Sequence, residues 1–243
     1  MHLKSSVILI IILISNPVFS DNTLVISNGA TRPPMHTENF DGFIDLVLKE
    51  ALHRIGYKLD SRGLPNERSL INTNRGIIDG EAQRIAGMEK KYPNLIRVQE
   101  KIMDWQFVAF SKQKIDTTAG WKSLTSYTAS FIMGWKIFEY NVPKQTSITT
   151  VQNEKILFNL LKRDRIDVVL YELWQGLELI KSHNYTNIEL STPPLTTREM
   201  FTYLHKKHAH LAPKLAQALK KMKHDGTYNQ LYNRTLGHLK VIN

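Results

Sequence analysis

Cysteine is absent from all 243 residues. A chain of this length can bury an ample apolar core, so the absence needs no structural compensation. It excludes lipid attachment at the cysteine of a processed N-terminus. It is compatible with export but does not identify a compartment. Beyond the first turns of chain there is no further long apolar run, and no low-complexity segment occurs. Neither a glycine-rich nucleotide loop nor a Gly-x-Ser-x-Gly elbow is present, which removes the sequence signals of phosphate cradling and of the nucleophile elbow. The formal net charge is +10, yet the basic residues are scattered rather than gathered into a Lys/Arg block with interleaved aromatics. That distribution reads as a diffusely basic surface and argues against nucleic acid as a partner.

What is present begins with "MHLKSSVILIIILISNPVFSD". Lys4 supplies a positive start, Val7 to Ile14 is unbroken apolar sequence, and Val18-Phe19-Ser20 offers small residues at the positions a signal peptidase reads. This pattern predicts a secretory signal peptide over residues 1–20 and a mature chain from Asp21. The run falls short of the roughly 20 apolar residues needed to span a bilayer.

The following sequence alternates strand and helix patterns. Leu24–Ser27 reads as a buried strand, stopped by Asn28-Gly29 and a rigid Pro33-Pro34 loop. "DGFIDLVLKEALHRIG" places Phe43, Ile44, Val47, Leu48, Ala51, Leu52 and Ile55 at helical spacing, with Gly56 as a stop. A strand in "YKLDSRGL", a polar helix in "NERSLINTNRG" and a short strand through "IIDGEAQRIAG" come next, then a strong strand at 105–112. The alternation restarts with "ASFIMG", "NEKILFNLLKRD", "RIDVVLYE" and "LWQGLELIKSH". Residues 187–208 offer two strands around a Pro-Pro turn, and the last helix should break at Asp225-Gly226. Such order predicts an α/β chain with parallel strands. "NRGIIDGE" and "KRDRIDVVLYE" both place a helix end, a turn and Ile-Asp where a strand starts. Two lobes built alike would face each other across a crevice where strand C-termini and helix N-termini converge.

Several pieces in this order resemble the bacterial periplasmic solute-binding proteins of extracellular family 3, the polar amino-acid type. They are Pro33-Pro34, "DGFIDLVLKEALHRIG", "NRGIIDG", "FVAFSK", "DRIDVVLYE" and "HDGTYNQLYNR", spread from Leu24 to the C-terminus. The resemblance implies a two-lobed, periplasmic-binding-protein-like (type II) α/β fold with two hinge-crossing strands. Lobe one would take 21–108 and 198–243, and lobe two 109–197. It implies a monomeric periplasmic protein that closes on a small-molecule ligand and delivers it to the membrane permease of an ABC transporter, with no cofactor and no metal. It also leaves an enzymatic alternative, because some exported proteins of this fold are dehydratases acting on small cyclic carboxylic acids. A stand-alone ligand sensor is the other alternative.

The candidate binding residues carry alternatives of their own. Arg84 lies inside an apolar strand pattern, where an unpaired guanidinium is expensive. Its partner is either a ligand anion, gripped through bidentate bonds, or an internal carboxylate, Glu81 or Asp79. In the family an Arg about a dozen residues past the lobe-one Asp holds the ligand carboxylate; here that position is Lys91, which cannot reproduce the fork. Arg32 falls where the family often has a stacking aromatic, against the alternative of an exposed loop residue. Glu172 aligns with the acid that accepts a ligand ammonium, against a solvated strand-end carboxylate. Trp105 and Trp135 fall near the expected cleft edges and would cover an aliphatic or ring portion of a ligand, whereas Trp174 reads as core. Asp79 and Asp167 read as organisers of turns. His205 and His208 in "HKKHAH" have no carboxylate beside them in sequence, which argues against a metal.

Overall fold

The computed structural model describes residues 22–239, so the expected signal peptide lies outside the described residues. β1 (Thr23–Gly29) runs into a loop that is pinned to α1 (Phe43–His53). The carbonyls of Pro34 and Met35 accept the N–H groups of Phe43 and Ile44, two of the donors a helix start leaves unpaired. Gly42 is required at this junction, because a Cβ there would lie 2.5 Å from the Met35 carbonyl oxygen. α1 buries Phe43, Ile44, Val47, Leu48, Ala51 and Leu52 as its periodicity predicts, while Ile55, expected on the same face, lies past the helix end and is partly buried. Burial of each large member is worth about 1.5–3 kcal/mol before chain entropy is counted.

β2 (Lys58–Gly63), α2 (Asn66–Asn74) and β3 (Gly80–Ile85) follow. β4 spans Leu95–Ser111, ten residues more than the 105–112 pattern at its N-terminal side. Next come β5 (Thr128–Ile132), α3 (Lys136–Asn141), β6 (Ser147–Val151), α4 (Glu154–Lys162), β7 (Val168–Glu172) and α5 (Leu173–Ser182). β8 (Glu189–His205) replaces the two strands expected around Pro193-Pro194. It stays one strand because its irregularity is absorbed as a bulge. Phe107 faces Thr196 while Ala109 faces Ser191, so residues 192–195 stand against Val108 alone. α6 (Ala212–His224) and α7 (Thr227–Leu236) close the described chain, with Gly226 at φ 85° making the break between them.

The strands form one sheet in the order β2-β1-β3-β8-β4-β7-β5-β6. β1 pairs in parallel with β2 and β3, and β5 in parallel with β6 and β7. Between these two parallel units the long strands β4 and β8 run antiparallel, from Leu95 opposite His205 to Ser111 opposite Glu189. Apolar packing divides the same way. One core contains Leu24, Phe43, Val47, Met103, Met200, Leu215 and Met222, with a smaller one of Leu70, Tyr92, Leu95 and Tyr203 beside it; two more are built from residues between Phe107 and Leu195. The protein is thus two-lobed, with two strands crossing between the lobes.

The duplicated Ile-Asp signal has a duplicated structure. The Asp79 backbone N–H donates to the Val25 carbonyl of β1, and its Oδ2 accepts the Val25 N–H, both at 2.8 Å. Asp167 does the same to Thr128 of β5, at 2.8 and 2.7 Å. In each lobe the side chain ties the start of one strand to its parallel neighbour, as turn-organising aspartates do. Among the described residues no helix is long and apolar enough to cross a membrane.

Candidate functional site

Strand directions define where the lobes face each other. β3 is antiparallel to β8, β8 to β4 and β4 to β7, so β3 and β7 run toward one another from opposite ends of the molecule. β3 ends at Ile85, opposite Met200, which faces Met103; β7 ends at Glu172, opposite Phe107. At 3.3 Å per residue the two strand ends meet the crossing pair about 13 Å apart. Trp105 is midway between these two points, on the floor of the gap, with Arg198 opposite. It packs against cores of both lobes, and its indole Nε1 has no hydrogen-bond partner among the described residues.

The lobe-one wall is the end of β3 and the loop after β1. Arg84 is largely buried and its Nη2 donates to Glu81 Oε2 at 2.5 Å, the internal pairing that was one of the two alternatives. Nη1 donates to Asn66 Oδ1 at 3.1 Å, while Nε is buried without a partner among the described residues. Glu81, fully buried, also accepts from the hydroxyls of Ser69 and Thr73 through Oε1, each at 2.5 Å. Arg32 reaches from the β1–α1 loop across to the other lobe, where its guanidinium lies 5.1 Å from the centre of the Trp135 ring. Lys91 is exposed and is held by Glu67 at 3.1 Å, with its ammonium 5.2 Å from the Tyr92 ring.

The lobe-two wall is aromatic and acidic. Trp135, at the start of α3, stacks on Tyr171 at 4.9 Å and 22° and on Phe138 at 5.7 Å and 7°. Burial pushes the Tyr171 phenol up, and the charge of Arg32 opposes that shift. Glu172 is fully buried, not the solvated carboxylate of the alternative reading. It caps α5 by accepting the Gln175 N–H at 2.9 Å through Oε2, and Oε1 has no partner among the described residues. Desolvation raises its pKa to about 7, against the opposing pull of the Gln175 and Trp174 backbone N–H groups. Trp174 packs in the core, edge-on to Tyr232 at 5.6 Å.

The structure also brings together groups that the sequence did not single out. His36, Asp45 and Gln83 form a buried chain behind Arg32, and the Gln175 carbonyl oxygen joins Glu172 Oε1 as a buried acceptor without a donor. In sequence His36 and Gln83 are ordinary polar residues 47 positions apart, and only the fold makes them neighbours. The 205–210 segment acquires a carboxylate that is remote in sequence: Asp79 Oδ1 lies 2.8 Å from His208 Nε2 and 2.7 Å from Lys207 Nζ. Among the described residues no group of three metal-ligating side chains comes together.

Comparison with known proteins bears on the fold. No family model matches the chain. It is 29% identical over 223 residues to an uncharacterized protein of Shewanella oneidensis, covering 86% of this chain and 81% of that one. An ancestral arginine-binding protein bound to arginine superposes with a TM-score of 0.69 at 20% identity, covering 88% of this chain and 98% of that structure. A histidine kinase sensor domain with similarity to periplasmic binding proteins superposes at 0.72 with 14% identity, covering 88% and 96%. These likenesses establish the periplasmic-binding-protein-like architecture.

Proposed function

We propose that the protein is a periplasmic solute-binding protein that captures a small polar, anion-bearing solute, an amino acid or an organic acid, in the cleft between its lobes. The observation that carries the reading is the facing pair of strand ends, which meet the crossing strands on either side of Trp105 at points offset by about 13 Å along them. An offset of that length leaves room for a molecule of amino-acid size. Lobe one comprises 21–108 and 198–243 and lobe two 109–197, with residues 1–20 removed on export. Arg84, held by Glu81, offers its unpartnered Nε–H to the solute's anionic group. Glu172 accepts from an amino group, and Trp105 covers the solute from below. Arg32 and Trp135 close over it from opposite lobes. Lys91, paired with Glu67 at the surface, has no part in this reading. Closure follows because only the closed state gives the solute contacts from both walls. The closed form would then be presented to the permease of an ABC importer.

The test is thermal unfolding of residues 21–243 across amino acids, organic acids, polyamines and small phosphates. A solute at 100 times its Kd should stabilise the fold by about 2.7 kcal/mol, a plain rise in Tm. No rise with any class would sink the reading.

A second reading rests on Glu172. A buried carboxyl with a pKa of about 7 holds its proton near neutrality and suits a general acid, as a dehydratase of a small cyclic carboxylic acid requires. Product formation from such an acid, abolished in Glu172→Gln, would favour it. Recovery of the unchanged solute excludes it.

A further inference from the structure

The basic residues form no block along the chain as a whole, but folding makes one on α6. Between Glu199 and Asp225 there are six lysines, four histidines and no acidic residue. More than half of that stretch is α6, whose inner face buries Leu215, Ala218, Leu219 and Met222 in the lobe-one core. Lys214, Gln217, Lys220, Lys221 and His224 are exposed, and their spacings of three and four residues put them along one outer face. Lys223, between the two faces, is tied to Glu100. Lys214, Lys220, Lys221 and His224 have no ion pair among the described residues.

The ordinary reasons for a basic helix face cover only part of this one. A solvated face usually sets an acid three or four residues from a lysine, and α6 has none. Cations in a last turn complement the helix dipole, which accounts for Lys221 and His224. Lys214 sits in the first turn, where the dipole disfavours a cation. Beside it an open groove of about 570 Å³ separates α6 from the end of α1, bordered by Arg54, Lys214, Gln217, Lys221 and Asp225. Arg54 is engaged within the protein, donating to Glu50, Asp225 and Thr227. The groove's uncommitted donors are therefore the two ammonium groups and the Gln217 amide between them.

What the face lacks selects the partner. None of the large apolar side chains exposed on the described surface lies on α6. Protein docking surfaces are anchored by aromatic or aliphatic side chains that become buried, and this face offers no anchor. A layer of phosphate headgroups needs none, because lysines near an anionic bilayer are attracted by charge alone. At 1.5 Å per residue α6 is about 20 Å long, enough to meet several headgroups at once.

We propose that the outer face of α6 is a docking surface for an anionic phospholipid membrane, with a lipid phosphate drawn into the groove between Lys214 and Lys221. The proposal goes beyond solute capture and does not depend on it. Export directed by residues 1–20 would bring the chain to such a surface.

Co-sedimentation of the mature chain, residues 21–243, with lipid vesicles tests it. At low salt the chain should pellet with vesicles of equimolar phosphatidylcholine and phosphatidylglycerol and stay in solution with phosphatidylcholine alone. Salt near 1 M, where screening shortens to about 3 Å, should release it. Lys214→Gln, Lys220→Gln and Lys221→Gln together should weaken binding at least tenfold. The same loss of charge in lobe two, by glutamine at the exposed Lys122, Lys144 and Lys155, should change it less than twofold. Lys221→Glu alone should weaken it at least threefold, a single surface change that keeps the test decisive if the triple variant does not fold. Equal weakening by the two triple variants would show diffuse attraction by the whole basic chain and overturn the proposal. Pelleting with phosphatidylcholine alone, or none with phosphatidylglycerol, overturns it too. Binding of poly-L-glutamate in place of vesicles would assign the face to an acidic protein instead.

Discussion

Glu81 and Glu172 are both fully buried, one in each lobe, and they live under opposite conditions. Glu81 receives two hydroxyls and a guanidinium, so both of its oxygens are occupied. Glu172 receives one backbone N–H and keeps an oxygen with nothing to bond. The same side chain at the same depth is a fastener between β3 and α2 in one lobe and a helix cap with one oxygen unpaired in the other. Burial does not decide which of these a carboxylate becomes; the donors around it do. Each lobe also keeps buried polar atoms without a partner among the described residues, Arg84 Nε and Trp105 Nε1 in one, Glu172 Oε1 and Gln175 Oε1 in the other, so the contrast belongs to the two carboxylates and not to the lobes as wholes.

The largest effect should come from breaking the completed cluster. Glu81→Ala leaves Arg84, Ser69 and Thr73 without their acceptor, and loss of one partner from a buried ion pair costs about 3–5 kcal/mol. Urea denaturation measures it, and a loss under about 1 kcal/mol would mean that the guanidinium is satisfied elsewhere. The half-paired carboxylate should show itself through pH. The folded pKa of Glu172, about 7, lies above its ordinary value of 4.5, so the folded state binds the extra proton between those values. Stability from this group is full below pH 4.5 and is lost as the pH rises through 7, a change of about 3 kcal/mol. Glu172→Gln removes the titration, so its stability relative to wild type should climb from pH 5 to pH 8. A constant difference over that range would contradict the buried, unpaired geometry. The smallest effect belongs to the matched aspartates. Asp167→Ala removes one strand-tying bond and should cost about 1 kcal/mol. Asp79→Ala also strips Lys207 and His208 of their acceptor and should cost about twice that. Equal losses would show that the extra contacts of Asp79 are idle.

How far the sequence could be read follows the same division between local and assembled features. α1, α4 and α5 announce themselves by apolar spacing, and the paired Ile-Asp signals correctly anticipate two strands begun in the same way. β6 carried no such signal. Four of its five residues, Ser147 to Thr150, are exposed, so no apolar alternation marks it. α3 is too short to show a period. The first half of β4 mixes Arg97, Glu100 and Lys101 with buried Val98 and Ile102, because one side of it meets water. β8 was divided at its prolines, since a bulge that keeps the strand continuous depends on the partner strand and not on local sequence. At the site, the Arg84–Glu81 pair was visible as one of two alternatives because its members are three residues apart. The Asp45–His36–Gln83 chain was not, because its final link spans 47 residues and exists only once β3 lies beside the β1–α1 loop.

The contact of Arg32 with Trp135 has a practical consequence. An indole's fluorescence responds to a charge resting on its ring, and here the ring belongs to one lobe and the charge to the other. Any motion that parts the lobes lifts the charge off the ring and changes the emitted light. The chain carries its own optical gauge of closure, readable in unlabelled protein once the signal of Trp135→Phe has been subtracted.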